Sequence, residues 1–275
     1  MELSGDVATK SDDNLATEEP LEIRLVHGGH RAPVAVTMRT PGADFELAAG
    51  FLFNEGVLQG RERLRRISYC VDKGVGEEQR YNIVNVELAA AATPADIAPL
   101  ERHFSMTSAC GVCGKATLEA LWARGYRALP EGPRLRPGML VSLPAKLRQA
   151  QALFETTGGL HAAGLFTADG ALVAVREDVG RHNAMDKLVG WALLKGKLPL
   201  AGHVVLVSGR SSFELVQKSL SAGVAALCSV SAPSSLAVDL AREFGLTLVG
   251  FLRDGRFKLY SGAARACELG APGGH

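Results

Sequence analysis

Val204-Val205-Leu206-Val207 runs directly into Ser208-Gly209-Arg210-Ser211-Ser212, and a helical pattern begins at Phe213. Four consecutive apolar residues have no polar face, so the strand they form is covered on both sides, as in a parallel sheet. The Gly- and Ser-rich turn then hands the chain to a helix start. The same unit recurs downstream, where residues 224–230 lead into Ser231-Ala232-Pro233-Ser234-Ser235 and a further helix. Residues 246–252 and a closing strand at 257–260 complete the series. Upstream, strands at 161–167 and 171–175 flank the Asp169-Gly170 turn, and a helix is expected over about 183–194. Apolar strands separated by ten-residue helices predict an α/β sandwich whose sheet is largely parallel, with hairpins at its edges. A helix with Pro144 in its first turn, Leu147, Ala150, Leu153 and Phe154 at helical spacing, and Gly158-Gly159 as its stop opens this unit, which spans 138–275.

The preceding residues read differently. Residues 1–19 are polar and acidic, have little to bury, and are expected to be a disordered tail. Residues 20–105 form a small α+β unit. It comprises a hairpin of 21–26 and 34–38 about the turn His27-Gly28-Gly29-His30, a helix over 45–54 with Asp44 as N-cap, a strand pair at 67–71 and 81–88, and a helix at 94–104. Residues 106–137 hold a cysteine loop, a short helix and an irregular Pro-, Gly- and Arg-rich connection.

Composition narrows the function. The 275 residues are 47% hydrophobic, enough for a substantial core, and 30 basic against 29 acidic residues leave a net charge of +1. Neither nucleic acid nor a membrane surface is a favoured partner for so balanced a charge. No apolar run reaches the ~20 residues needed to cross a bilayer. Five cysteines, an odd number, argue for a reducing compartment, so the expected location is the cytoplasm.

The chemistry concentrates in Cys110-Gly111-Val112-Cys113-Gly114. Leu118, Leu121 and Trp122 at i, i+3 and i+4 predict a helix starting just after Cys113 and ending at Gly125. Its N-terminal N–H groups, with Lys115, favour thiolate over thiol, and a thiolate is a nucleophile able to carry sulfur. A reversible dithiol competes with this reading. Structural zinc is disfavoured, because Cys70, Cys228 and Cys267 lie singly elsewhere, and a structural disulfide would close almost no loop.

In an open α/β sheet, ligands lie beyond the carboxyl ends of the strands, where helix N-termini supply donors to anions. The two serine-rich turns sit at such ends, and Arg210 adds a planar fork suited to phosphate. Helix capping alone is the plainer account of those serines. Phe251, Leu252, Arg253, Asp254, Gly255 and Arg256 place two arginines across an Asp-Gly turn. That is either a simple hairpin or a basic clamp for a dinucleotide. The charged run 176–187 clusters Asp178, Arg181 and His182 around Gly180, and His182 could shuttle protons near neutral pH. No GxGxxG or P-loop pattern supports a nicotinamide site or ATP hydrolysis.

Taken together, Cys110–Gly114, Thr157-Gly-Gly-Leu-His161, Arg176-Glu-Asp-Val-Gly-Arg-His-Asn183, Ser208-Gly-Arg210 with Phe213-Glu214, Ser231–Ser235 and Gly250-Phe-Leu-Arg253 resemble the FdhD family of formate dehydrogenase accessory sulfurtransferases. The resemblance implies a cytidine-deaminase-like three-layer sandwich for the second unit, and a homodimer. It implies that a cysteine desulfurase passes a persulfide to Cys110, with Cys113 as the second cysteine. The sulfur then goes to the molybdenum or tungsten of a bis(molybdopterin guanine dinucleotide) bound as substrate, with no cofactor or metal of the protein's own. The formate dehydrogenase catalytic subunit receives that substrate. Residues 251–256 match the cofactor-contacting segment; adding Arg210 and His182 to it is an expectation from the residues themselves. A dithiol oxidoreductase and a non-catalytic chaperone are the rival classes. A nucleoside deaminase lacks support, because its His-x-Glu and Pro-Cys-x-x-Cys zinc signature is missing.

Overall fold

The computed structural model describes residues 2–4, 7–9, 12–28, 30–72, 76–89 and 114–266. Within the stretch expected to be a tail, β1 (Glu2–Ser4) and β2 (Val7–Thr9) pair antiparallel. Alternation then builds the first sheet. In β3 (Glu19–His27), Leu21, Ile23 and Leu25 turn inward and the residues between them do not. β3 pairs antiparallel with β4 (His30–Arg39) and parallel with β6 (Ile83–Leu88), and β5 (Leu64–Tyr69) closes the other edge in the order β4-β3-β6-β5. Helix α1 (Asp44–Asn54) seals the inner face with Leu47, Ala48 and Leu52 against Ile23, Val84 and Val86. The one-turn α2 (Glu77–Arg80) precedes β6.

Asp44 is the first helical residue rather than the cap. Ala43 holds the cap position at φ 55° without a side-chain bond, because the buried Arg39 guanidinium claims both Asp44 oxygens at 3.1 Å. The helix expected at 94–104 lies outside the described residues. Helix α3 (Gly114–Ala123) follows, anchored by Leu121 in the main core and by Trp122, which stacks on Phe244 at 4.6 Å and donates to Glu243 at 3.0 Å.

The helix expected from Pro144 begins earlier. Pro137 occupies the first turn of α4 (Pro137–Gln149), as its missing N–H favours, and Pro144 lies inside. Leu153 and Phe154 belong to a separate α5 (Ala152–Thr157), since Gln151, at ψ 77°, breaks the helix while leaving the apolar spacing in phase.

The large sheet divides its side chains between two cores. In β9 (His203–Val207), Val205 and Val207 join one cluster and Val204 and Leu206 the other. In β10 (Ala226–Ser229), Leu227 opposes Ala226 and Cys228, and in β11 (Thr247–Arg253), Leu248 opposes Val249 and Leu252. These three strands are parallel. β7 (His161–Thr167) runs antiparallel to β9 and to β8 (Leu172–Asp178), and β12 (Arg256–Ser261) runs antiparallel to β11, giving the order β12-β11-β10-β9-β7-β8. Helices α6 (Arg181–Leu194), α7 (Phe213–Ser221) and α8 (Ser235–Glu243) cover one face, α4 covers the other, and a single turn, α9 (Ala263–Ala266), ends the described chain. This is a three-layer α/β sandwich with a smaller α+β unit beside it; the sheet is mixed rather than largely parallel, three of its five strand pairs being antiparallel, because apolar runs report burial and not direction.

The units meet where α1 crosses α6. A Cβ on Gly50 would lie 1.9 Å from the Asp186 carbonyl oxygen, and one on Gly190 would lie 1.8 Å from that of Glu46, so the two backbones touch. Buried ion pairs flank the crossing: Lys218 to Asp186 at 2.6 Å, and Lys187 to Asp178 at 2.7 Å. Among the described residues no helix is long and apolar enough to cross a membrane.

Candidate functional site

Strand direction decides what gathers at one rim. β8, β9, β10 and β11 end there while β7 and β12 begin there, so Asp178, Ser208, Val230, Arg253, His161 and Arg256 line a single edge. The starts of α6, α7 and α8 follow directly. Of the residues expected at the site, His182, Arg210 and 251–256 all fall on this rim. Cys110 and Cys113 lie outside the described residues.

The serine turns divide. Ser234 is an ordinary cap, accepting from the Ala237 N–H at 3.3 Å. Ser212 holds the corresponding place before α7 without capping it. Its hydroxyl lies 3.1 Å from His182 Nε2 and donates to Glu214 at 3.2 Å, and His182 Nε2 lies 3.0 Å from the same carboxylate. The hydrogen bond from His182 holds the Glu214 carboxyl below the usual range, with Ser212 and Lys218 helping. This dyad opens on a cavity of about 650 Å³ between β4, α1 and α7. Ser211 is fully buried, and its hydroxyl has no partner among the described residues.

Asp178 and His161 complete the central part. Asp178, fully buried, accepts from Lys187, from the N–H groups of Thr40 (3.2 Å) and Gly180 (2.9 Å), and from Asn183 (3.0 Å). It fixes the turn that presents Arg181 and His182, so its role is positional. His161 Nδ1 lies 3.3 Å from the Ser208 hydroxyl, which accepts from the Ala162 N–H at 2.9 Å. Burial pushes the His161 imidazole to protonate below its usual value, and the neighbouring Arg181 and His182 add to this against the opposing pull of Asp178. Arg181 brings a buried Nε with no partner among the described residues. Gly209 lets these groups close up: a Cβ there would meet Arg181 at 3.2 Å and His161 at 3.5 Å. Arg210 is exposed in the same turn.

Two strands away, roughly 10 Å across the sheet, β11 and β12 meet in a two-residue turn. Asp254 and Gly255 take φ of 53° and 73°, the type I′ geometry an Asp-Gly pair favours. Leu252 buries its side chain in the core. Arg253 and Arg256 are exposed and directly opposite in register, which places two like charges side by side. Phe251 sits at φ 53°, an outlier for a bulky residue, where the ladder slips and its N–H donates to the Ser231 carbonyl at 3.1 Å. Lys258 Nζ lies 5.2 Å over its ring. No sequence signal marked that strain.

A model of the FdhD/NarQ family matches residues 16–267. The chain belongs to the FdhD/NarQ family. Among its relatives, the sulfur carrier protein FdhD of Streptomyces avermitilis is 55% identical over 263 residues, covering 95% of this chain and 91% of the relative. That of Mycobacterium tuberculosis is 50% identical over 268 residues, covering 96% and 95%. A crystal structure from Desulfotalea psychrophila, described as a candidate formate dehydrogenase accessory protein, superposes with a TM-score of 0.71 at 26% identity, covering 94% of this chain and 92% of that one. The FdhD/NarQ match therefore takes in both units and the whole rim.

Proposed function

We propose that this protein is a sulfur carrier of formate dehydrogenase maturation, a sulfurtransferase that moves persulfide sulfur to a bis(molybdopterin guanine dinucleotide) substrate. The Cys110 thiolate attacks the terminal sulfur of a cysteine desulfurase persulfide. One S–S bond breaks as another forms, the desulfurase leaves as thiolate, and no external oxidant or reductant is consumed. The terminal sulfur then passes to the molybdenum or tungsten of the substrate: the S–S bond breaks, Cys110 leaves as thiolate, and the sulfane atom becomes a sulfide ligand with two electrons drawn from the reduced metal of the substrate, which goes on to the formate dehydrogenase catalytic subunit. Cys113 is the second cysteine of the loop, and the protein works as a cytoplasmic homodimer.

The rim's surplus of unspent donors carries this reading. The Ser211 hydroxyl and Arg181 Nε are buried without partners among the described residues, and the exposed Arg253 and Arg256 stand opposed, Arg253 with only the exposed Asp254 carboxylate 3.9 Å from its Nε. Such groups suit a ligand with several negative charges, as the phosphates of a dinucleotide supply. His182, Arg210, Phe251, Arg253, Asp254, Gly255 and Arg256 are the residues assigned to hold it. The relatives' name, sulfur carrier protein, supplies the chemistry.

The test is mass spectrometry of the intact protein after incubation with a desulfurase and cysteine. A gain of one sulfur, mapped to Cys110 and absent from Cys110→Ala, supports the reading. Loss of two hydrogens without sulfur gain points to a dithiol oxidoreductase, and a Cys110→Ala protein that still matures formate dehydrogenase points to a chaperone.

A further inference from the structure

β4 ends the small sheet, and among the described residues no strand pairs with it except β3. The cavity of about 650 Å³ runs along that edge. Every residue from Pro33 to Thr37 lines it, whereas a cavity over one face of a strand meets alternate residues. Pro33 suits such a place, having no N–H to leave unpaired. Asn183 closes the far end by donating to the Met38 carbonyl at 2.7 Å. A strand edge with open backbone groups is a template for another extended chain. Val36, 69% exposed, and Met38, 48% exposed, add apolar surface beside it.

The cavity's polar groups say which side chain that extended chain brings. Asn54 lines the cavity while nearly wholly buried, and its Oδ1 has no hydrogen-bond partner among the described residues. Its Nδ2 donates to Asp186 at 2.7 Å, which fixes the amide's orientation and makes the free atom an acceptor. A buried acceptor without a donor is rare and costly. Charge points the same way. Lys218 is neutralised by Asp186 at 2.6 Å, and of the other lining residues Glu55 and Glu214, both exposed, are acidic and only His182 can carry positive charge. Ile23, Leu47 and Phe51 give the cavity apolar walls.

We propose that this groove docks an extended segment of a partner protein, which adds a strand to β4 and inserts an arginine side chain toward Asn54. A guanidinium carries N–H donors in a rigid fork and no acceptor, so it supplies Asn54 and complements the Glu55 and Glu214 carboxylates together. Its methylene stem lies against Ile23, Leu47 and Phe51. Water would satisfy Asn54 but would leave the β4 edge unpaired and Val36 exposed. The inference goes beyond the sulfur-carrier reading and uses neither the loop cysteines nor the hairpin arginines.

Calorimetric titration of the full chain with a blocked pentapeptide, acetyl-Thr-Val-Arg-Val-Thr-amide, tests it; extended, the peptide spans about 17 Å, the length of residues 33–37. It should bind with a Kd below about 1 mM. The same peptide with norleucine in place of arginine keeps the stem, loses the charge and every side-chain donor, and should bind about tenfold more weakly. Glu55→Gln, an exposed change, should lower that arginine-to-norleucine affinity ratio about two- to fivefold. Asn54→Leu should lower it about threefold or more, and a ratio does not depend on the folded fraction. N-methylation of the valine amides, or of the arginine and threonine amides on the opposite edge of the peptide, should abolish binding in at least one case. A parent that binds neither peptide or both equally, a ratio unchanged in both variants, or tolerance of both methylations would each overturn the proposal. So would a peptide that splits a dimer of the chain, since a second copy would then hold the edge. No sulfur step enters the titration, so its outcome and that of Cys110 loading are separately visible.

Discussion

Replacing Asp178 with alanine should destabilise the fold by about 3–5 kcal/mol. The carboxylate is wholly buried and pairs at 2.7 Å with Lys187, itself 2% exposed. Truncation leaves that ammonium with two carbonyls, of Thr40 at 2.8 Å and Glu177 at 3.3 Å, and no counter-charge. It also orphans the N–H groups of Thr40 and Gly180 and leaves the Asn183 amide only its bond to the Met38 carbonyl at 2.7 Å. Loss of one member of a buried pair accounts for the lower figure, and the orphaned donors, each worth about 1–3 kcal/mol before water enters, for the upper. Against a total stability on the order of 5–15 kcal/mol, the loss is large. Urea unfolding at pH 7, extrapolated linearly to zero denaturant, reads it directly. The cycle is completed by Lys187→Met and the double variant Asp178→Ala/Lys187→Met, which should recover much of the loss because no buried charge stays unpaired. A single-variant cost under about 1 kcal/mol, or a double variant as damaged as the two singles added, would refute the buried-pair account.

Gly190→Ala should cost about 1–3 kcal/mol or more by the same urea assay, since its Cβ would sit 1.8 Å from a backbone oxygen of α1 and the helices must part; parental stability would contradict the crossing. His161 protonates below the ordinary 6.5 in the folded state, so on acidification the unfolded chain takes up its proton first. Stability therefore falls as pH drops from about 6.5 toward the lower folded value and levels off beneath it. His161→Gln should flatten that part of the parent's pH–stability profile. The Cys228 thiol, wholly buried and pushed up to about 12, should resist iodoacetamide at pH 8 and react only after unfolding.

The sheet was legible because Val204 to Val207 are apolar at every position, and each side chain finds a core on its own side. Direction was less so. An apolar run reports burial and not polarity, so the antiparallel placement of β7 beside β9 followed only from the pairing. Gly50 and Gly190 read locally as weak points in helices, and their use, backbone contact between helices 140 positions apart in sequence, is a long-range fact. The charged run 176–187 stood out, but residue type did not separate Asp178 and Lys187, which pair in the interior, from His182, which faces a cavity. The α/β plan thus rests on local pattern, and the site rests on which strand ends the topology brings together.

The central claim, that sulfur moves through Cys110 to a pterin substrate, is tested most directly by following the atom. The protein is loaded with radiolabelled sulfane sulfur, freed of desulfurase and mixed with the bis(molybdopterin guanine dinucleotide). The account predicts that the label leaves the protein and travels with the pterin, and that Cys110→Ala neither loads nor transfers. Label that stays on the parent protein, or that reaches the pterin equally well from Cys110→Ala, would contradict it.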